Sequence, residues 1–308
     1  MKKIVAILGL MFLTGFSYAQ QDPQFTQYMY NTITINPAYA GNYQGMRIFL
    51  LNRSQWVGLE GAPVTTNLSI SSPINDNLGV GVTIMNDKIG PSDENNIAVD
   101  FSYTIATSEK YKLSFGLKAS ANLLNIDFNK LSQYNNGDFS FETNIENKLS
   151  PNIGAGIYLY SDKTYVGISA PNLLETRHFD RYANTGATSY VAQERIHFFL
   201  IMGQVFDLSP YLKFKPALLS KFVQGAPLQI DMSANFLINE KFTLGASYKS
   251  SKTFGALVGF QASDSWFIGY GYDLETTRLA RYNSGSHEIF LQYDLFNKFG
   301  KTISPRFF

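Results

Sequence analysis

Cysteine is absent from all 308 residues. No disulfide framework, thiolate metal site or cysteine nucleophile is therefore available. Histidine is nearly absent too, with three in the chain, at His178, His197 and His287. A Ser-His-acid site would need one of them beside a serine and a carboxylate, and no nucleophile-elbow sequence accompanies any of them. Enzymatic activity is not expected, and no catalytic residue is assigned. There is also no charge excess. The 25 basic residues less Lys2 and Lys3 leave 23, against 24 acidic ones. That balance supplies no electrostatic reason for a nucleic-acid partner. Long apolar runs are missing after the first residues, so no membrane helix is expected. Loop carboxylates (Asp87, Asp93 and Glu94; Asp138, Glu142 and Glu146) lack the spacing of a calcium loop. They read as solvated charges, and neither metal nor cofactor is expected.

What the chain does have begins with an export signal. Lys2 and Lys3 precede an apolar run from Ile4 to Leu13, and Ser17-Tyr18-Ala19 closes it in the small-x-small manner of a signal-peptidase site. The expected mature start is Gln20. Aromatics are abundant, with 19 Tyr and 25 Phe.

The dominant pattern has period two. In 227–237, Leu228, Ile230, Met232, Ala234 and Phe236 alternate with Gln229, Asp231, Ser233 and Asn235. In 111–122, Leu113, Phe115 and Leu117 alternate with Ser114, Gly116 and Lys118. Strand geometry sends alternate side chains to opposite faces, giving one apolar wall and one polar wall. About fourteen such runs occur, near 44–56, 63–73, 77–86, 94–107, 111–123, 151–160, 163–170, 193–206, 210–221, 227–237, 241–250, 254–262, 265–274 and 284–294. Short Asn-, Asp- and Ser-bearing turns alternate with longer links. The polar faces are rich in Gly, Ser, Thr and Asn, and aromatics such as Tyr248, Trp266 and Tyr272 fall near strand ends. A soluble β-sandwich would also alternate, but with a more charged outer face. The pattern predicts an all-β fold, a transmembrane antiparallel up-and-down β-barrel in an outer membrane, contacting its lipid. An even strand count places both termini in the periplasm. Pro216 predicts a bulge or a strand end, since proline lacks the ladder donor.

The expected domains are a signal peptide (1–19), an N-terminal segment (20–43), the barrel (44–296) and a periplasmic C-terminal tail (297–308). The segment is aromatic yet aperiodic. A barrel this wide encloses a channel or a plug, and many polar-face positions are glycine, among them Gly79, Gly81, Gly116 and Gly156. The segment is therefore expected in or across the lumen, with Phe25, Tyr28, Tyr30, Asn36 and Tyr39 as its plug residues. A periplasmic tail against the rim is the alternative. Two long links, 124–150 and 171–192, are the candidate partner-binding loops. Phe128, Tyr134, Phe139 and Phe141 in the first, and Arg177, Phe179, Arg181 and Tyr182 in the second, combine aromatics with arginine as binding surfaces do.

The stretch DPQFTQYMYNTITINPAYAG (Asp22–Gly41) closely resembles the start of mature PorP/SprF-family proteins, outer-membrane proteins of type IX secretion and gliding motility. The likeness continues in RSQWVGLEGAP (Arg53–Pro63), GVGVTIMNDKIGP (Gly79–Pro91), PNIGAGIYLYSDKTYVGISAPNLL (Pro151–Leu174), the stretch Leu212–Ser250 and the terminal SPRFF. The resemblance implies a Gram-negative outer-membrane partner for a large secreted adhesin, engaged through the adhesin's type IX C-terminal domain, together with other type IX components. A diffusion pore or a hydrophobic-ligand channel of the FadL kind is the alternative.

Overall fold

Alternation becomes architecture in the computed structural model, which describes residues 25–43, 45–130, 144–175, 180–182, 188–190 and 195–296. The strands are β1 (Gly45–Ser54), β2 (Val64–Pro73), β3 (Leu78–Ile89), β4 (Ser92–Ala106), β5 (Lys112–Ile126), β6 (Ile145–Tyr160), β7 (Thr164–Ala170), β8 (Asp180–Tyr182), β9 (Thr188–Tyr190), β10 (His197–Gln204), β11 (Phe206–Ser209), β12 (Leu212–Val223), β13 (Gln229–Ile238), β14 (Phe242–Lys249), β15 (Thr253–Gln261), β16 (Trp266–Glu275) and β17 (Ser286–Phe296). From β1 to β7 and from β11 to β17, each strand pairs antiparallel with its sequence neighbour. Three further pairings complete the ring, β1 with β17, β10 with β7 and β10 with β12. The result is a closed fourteen-stranded barrel with β11 outside the ring. The β8–β9 hairpin forms a separate two-stranded sheet.

The distribution of polarity is that of a protein whose outside is lipid. Along β5, Ser114, Lys118, Ser120 and Asn122 are buried, while Phe115 and Leu117 are 44% and 67% exposed. Apolar residues cover the outer face of nearly every strand, and aromatic pairs lie across them, such as Trp266–Tyr293 at 4.5 Å and Phe214–Phe236 at 4.9 Å between ring centres. In water that surface would be an aggregation hazard. Facing hydrocarbon it is the favourable arrangement, with every backbone group satisfied by ring closure. Among the described residues no helix is long and apolar enough to cross a membrane.

The connections differ between the two ends. Residues 74–77, 107–111, 161–163, 205–211, 239–241 and 262–265 turn at the end where β1 begins and β17 finishes. The other end carries 55–63, 127–144, 171–196 and 276–285, with tight links between β3 and β4 and between β14 and β15. The predicted long link over 87–93 is only Gly90-Pro91, because β3 and β4 continue further than the alternation does. The expected signal peptide and both termini lie outside the described residues.

Strand lengths are uneven. β4, β5 and β6 have 15, 15 and 16 residues, whereas β7, β10 and β14 have 7, 8 and 8. Lys112, Tyr160 and Tyr165 are successive ladder partners, so these walls are level at the short-turn end. The excess of β4–β6 therefore projects at the long-loop end. There Leu124, Ile126 and Phe128 are buried together, with Ile145 against them.

Pro216 forms neither a bulge nor a strand end. β12 runs through it, paired in unbroken register with β13. Its other side meets the interruption between β10 and β11 at Val205, where Gly203 pairs with Ala217 and Phe206 with Phe214. No ladder donor is required in that gap. Register shifts occur instead at Asp207/Ser209 and at Leu124/Ile126.

Candidate functional site

The barrel's interior is occupied by its own chain. Residues 25–43 lie inside the ring and form the largest buried apolar cluster with wall residues Phe49, Leu51, Tyr158, Tyr165, Phe267 and Phe290. Two short 3-10 turns, Thr32–Thr34 and Pro37–Tyr39, give the segment its local structure. Asn36 caps the second, its Oδ1 accepting from the Ala38 amide at 3.0 Å, with Pro37 at the first turn position.

Contacts run around the whole circumference. At the amino end, the Thr26 hydroxyl donates to Asp273 Oδ2 at 2.7 Å, and the amides of Thr26 and Gln27 donate to Glu288 at 3.2 and 3.3 Å. Tyr30 stacks on Phe267 and lies against Phe290, ring centres 5.2 and 5.1 Å away, and Lys215 Nζ lies 5.6 Å from the Tyr30 ring centre. Asn31 Nδ2 donates to Asn67 and Ser69 on β2. Lys118 Nζ on β5 reaches the carbonyls of Ile33 and Thr34 at 3.4 Å, and Ser169 on β7 donates to the Ile35 carbonyl at 2.6 Å. Asn36 Nδ2 donates to the Ile157 carbonyl at 3.1 Å. At the carboxyl end, Ser102 donates to the Ala40 carbonyl and the Gly41 amide donates to Ser71. Tyr39 meets Tyr43 and Tyr158 edge-on, and the Arg47 guanidinium lies 3.7 Å over the Tyr43 ring while pairing with Asp294 through two hydrogen bonds.

Glycines make this fit possible. A Cβ at Gly116 would stand 2.0 Å from the Ala38 amide nitrogen, and one at Gly79 would stand 2.2 Å from the Ala40 oxygen. Backbone meets backbone at both positions, which only glycine permits.

The wall behind the amino end is ionic. Arg53 pairs with Asp273 at 2.8 Å and Glu288 at 2.9 Å, and Lys249 reaches Asp273 at 2.8 Å. All four side chains are nearly inaccessible. A second buried pair, Lys118–Asp100 at 3.4 Å, stands on β5 and β4. Buried charges persist only when paired and hydrogen-bonded, and here the wall supplies both members of each pair. Sequence reasoning did not single out these residues. The available signal was charge on the polar faces of strands otherwise built from Ser, Thr, Asn and Gly.

Of the residues expected in the lumen, Tyr28, Tyr30, Asn36 and Tyr39 are buried there, and Phe25 packs half-buried at the amino end. Of those expected on partner-binding loops, Phe128 is not exposed. It is buried with Leu124 and Ile126, and Ile145 packs against them, because β5 and β6 continue to its level. Tyr134, Phe139, Phe141, Arg177 and Phe179 lie outside the described residues. Arg181 and Tyr182 fall on β8, with only their backbone described. Among the described histidines, His197 is buried at the start of β10, and His287 Nδ1 lies 2.6 Å from the Tyr270 hydroxyl. Among the described residues no cluster of three potential metal ligands occurs.

A membrane barrel closed through fourteen strands, with a polar lumen filled by its own N-terminal segment, defines an outer-membrane β-barrel protein. Residues 17–293 match the family described as "Type IX secretion system membrane protein PorP/SprF". The chain belongs to that family. No curated protein matches its sequence. Its fold is similar to that of the Ralstonia pickettii toluene transporter TbuX (TM-score 0.53, 10% identity, covering 86% of this chain and 93% of that one). It is similar too to the monoaromatic hydrocarbon channel CymD (TM-score 0.52, 13% identity, 87% and 93%). These likenesses concern the fold.

Proposed function

We propose that this barrel is a docking partner for a large exported cell-surface protein of the type IX route, helping to secrete it or to hold it at the surface through its C-terminal domain. Family membership supplies the pathway. The observation that carries the docking reading is the filled lumen. A diffusion pore or a hydrocarbon channel needs a continuous path between its mouths. Residues 25–43 stand in that path, with contacts on β1 to β7, β12 and β15 to β17. One cavity beside the segment, lined by Phe25, Tyr28, Phe199 and Leu219, measures about 30 Å³. That is room for only a couple of waters. A platform works sealed; a channel does not.

In this reading the short-turn end faces the periplasm and the long-loop end faces outward, the usual arrangement of such barrels. The outward side includes one ordered loop pair. Trp56 Nε1 donates to Glu275, and Val57 and the 284–285 stretch exchange backbone hydrogen bonds of 2.9 and 2.8 Å. Partners are the exported adhesin, other type IX components and outer-membrane lipid.

The test is affinity purification of the tagged barrel from its native outer membrane, with mass spectrometry of what stays bound. Recovery of a large protein bearing a type IX C-terminal domain, lost on deleting 129–143 or 171–192, is the expected result. Recovery of the barrel alone, together with ion conduction in planar bilayers, would sink the reading in favour of a channel.

A further inference from the structure

The luminal segment has a direction. Its amino end binds Arg53, Asp273 and Glu288, each one or two residues from where its strand enters a long-loop connection. Its carboxyl end binds Ser71 and closes on Gly79, both beside the short turn 74–77. The chain then enters β1 at that same end. Phe25 and Gly45 are thus at opposite mouths of the barrel.

The two ends are also held differently. The carboxyl half is locked by backbone contacts that a single Cβ would violate. The amino end is not. Two glycines face Thr26: a Cβ at Gly271 would meet Thr26 Cβ at 3.6 Å, an ordinary contact, and one at Gly255 would approach only the side-chain methyl Cγ2 of Thr26, at 3.1 Å, and no backbone atom of the segment. Residues 25–43 contain no charged side chain. They bind the ionic wall through hydroxyl, amide and aromatic groups, while Arg53, Lys249, Asp273 and Glu288 neutralise one another. Withdrawing a neutral guest leaves each buried charge with its counterion, so the costly event of an unpaired buried charge never arises.

We infer that Phe25–Gln27 is a strap that faces the long-loop mouth, reachable from the side where a partner docks, and that it releases there while residues 36–43 stay seated. This rests on the docking reading for its trigger, but not for its topology. Zero cysteines make the test clean. Single-cysteine variants F25C, E60C (a long-loop rim position) and D76C (a short-turn position) are exposed on intact cells to a membrane-impermeant maleimide. Heat-modifiability on gels verifies folding. Labelling of F25C and E60C, with D76C reacting only after permeabilisation, is expected. Labelling of E60C without F25C overturns the strap, and labelling of D76C alone overturns the outward orientation. T26V, which removes the hydroxyl bond to Asp273, should raise the F25C labelling rate several-fold; an unchanged rate counts against a latch. Hydrogen exchange on the unmodified protein gives an independent reading, with 26–30 exchanging before 38–41; the reverse order refutes the proposal. Absence of any bound exported protein would remove the docking reading and leave these outcomes standing on their own.

Discussion

Substituting Gly116 by alanine adds one methyl group where two backbones touch. The new Cβ would lie 2.0 Å from the Ala38 nitrogen, 2.3 Å from the Pro37 carbonyl carbon and 2.4 Å from the Ala38 Cα. Ordinary contact begins at 3.4 Å. Neither side can yield by rotating a side chain. On one side is β5, paired to β4 through Ser102 and to β6 through Gly156. On the other is the capped turn Pro37–Tyr39. Overpacking of this kind costs about 1–3 kcal/mol, and rigid neighbours place it at the upper end. About 3 kcal/mol shifts an equilibrium by on the order of a hundredfold. The barrel ladder is continuous without the segment, so the expected failure is unseating of residues 36–40 rather than collapse of the ring. That movement would also strain the Asn36–Ile157 bond and the Ser169 bond to Ile35. The assay is limited proteolysis of the segment in detergent, alongside single-barrel conductance, with gel mobility reporting the intact barrel. Gly271→Ala is the matched control, since its Cβ would meet nothing closer than 3.5 Å. If G116A keeps the protease resistance and the closed conductance of the parent while G271A does the same, the glycine-cradle argument is wrong.

Replacing Arg53 by methionine leaves Asp273 and Glu288 buried with Lys249 alone to balance them, and should cost about 3–5 kcal/mol in urea unfolding from detergent. Leu117→Arg puts a charge on the lipid face, with an expected loss of about 2–4 kcal/mol near the bilayer centre, read by refolding into liposomes. At the short-turn end, the Lys163 hydrogen bond holds the Asp207 carboxyl below its usual value. Their tie between β11 and the 161–163 turn therefore survives mild acid and is lost only as pH falls through that lowered value. Hydrogen exchange at 206–209 should show this pH dependence, and Lys163→Ala should abolish it.

Legibility in the sequence followed the membrane. Within the bilayer each strand must alternate, so segments such as 229–238 and 242–249 were found to within a few residues. Beyond it both faces meet water or loops and the alternation fades. The first residues of β6, Ile145–Ser150, carry Glu146, Asn147 and Lys148 and have the composition of a loop. The burial of Phe128 is illegible for the same reason, because nothing local shows that β5 and β6 continue far enough to bury it. Pro216 predicts a bulge or a strand end because the interruption that accommodates it, at Val205, lies across the sheet rather than beside it in the chain. The composition of the opening segment marked it as buried. Its path was not legible, because Thr26 meets partners about 250 positions away, at Asp273 and Glu288.

The unequal walls give the long-loop mouth a lopsided rim. A membrane strand needs about 9–11 residues, so β4, β5 and β6 rise several residues above the lipid, at about 3.3 Å each before tilt. β7 and β10, on the neighbouring arc, have only 7 and 8 residues as strands. The strand-built wall is less a well than a chair, with a high back over β4–β6 and a low side at β7 and β10. A large body resting there is braced from one side and leans over the other. Its tether would leave the barrel obliquely, and a pull along the membrane would load the back of the chair in compression rather than peel the contact apart.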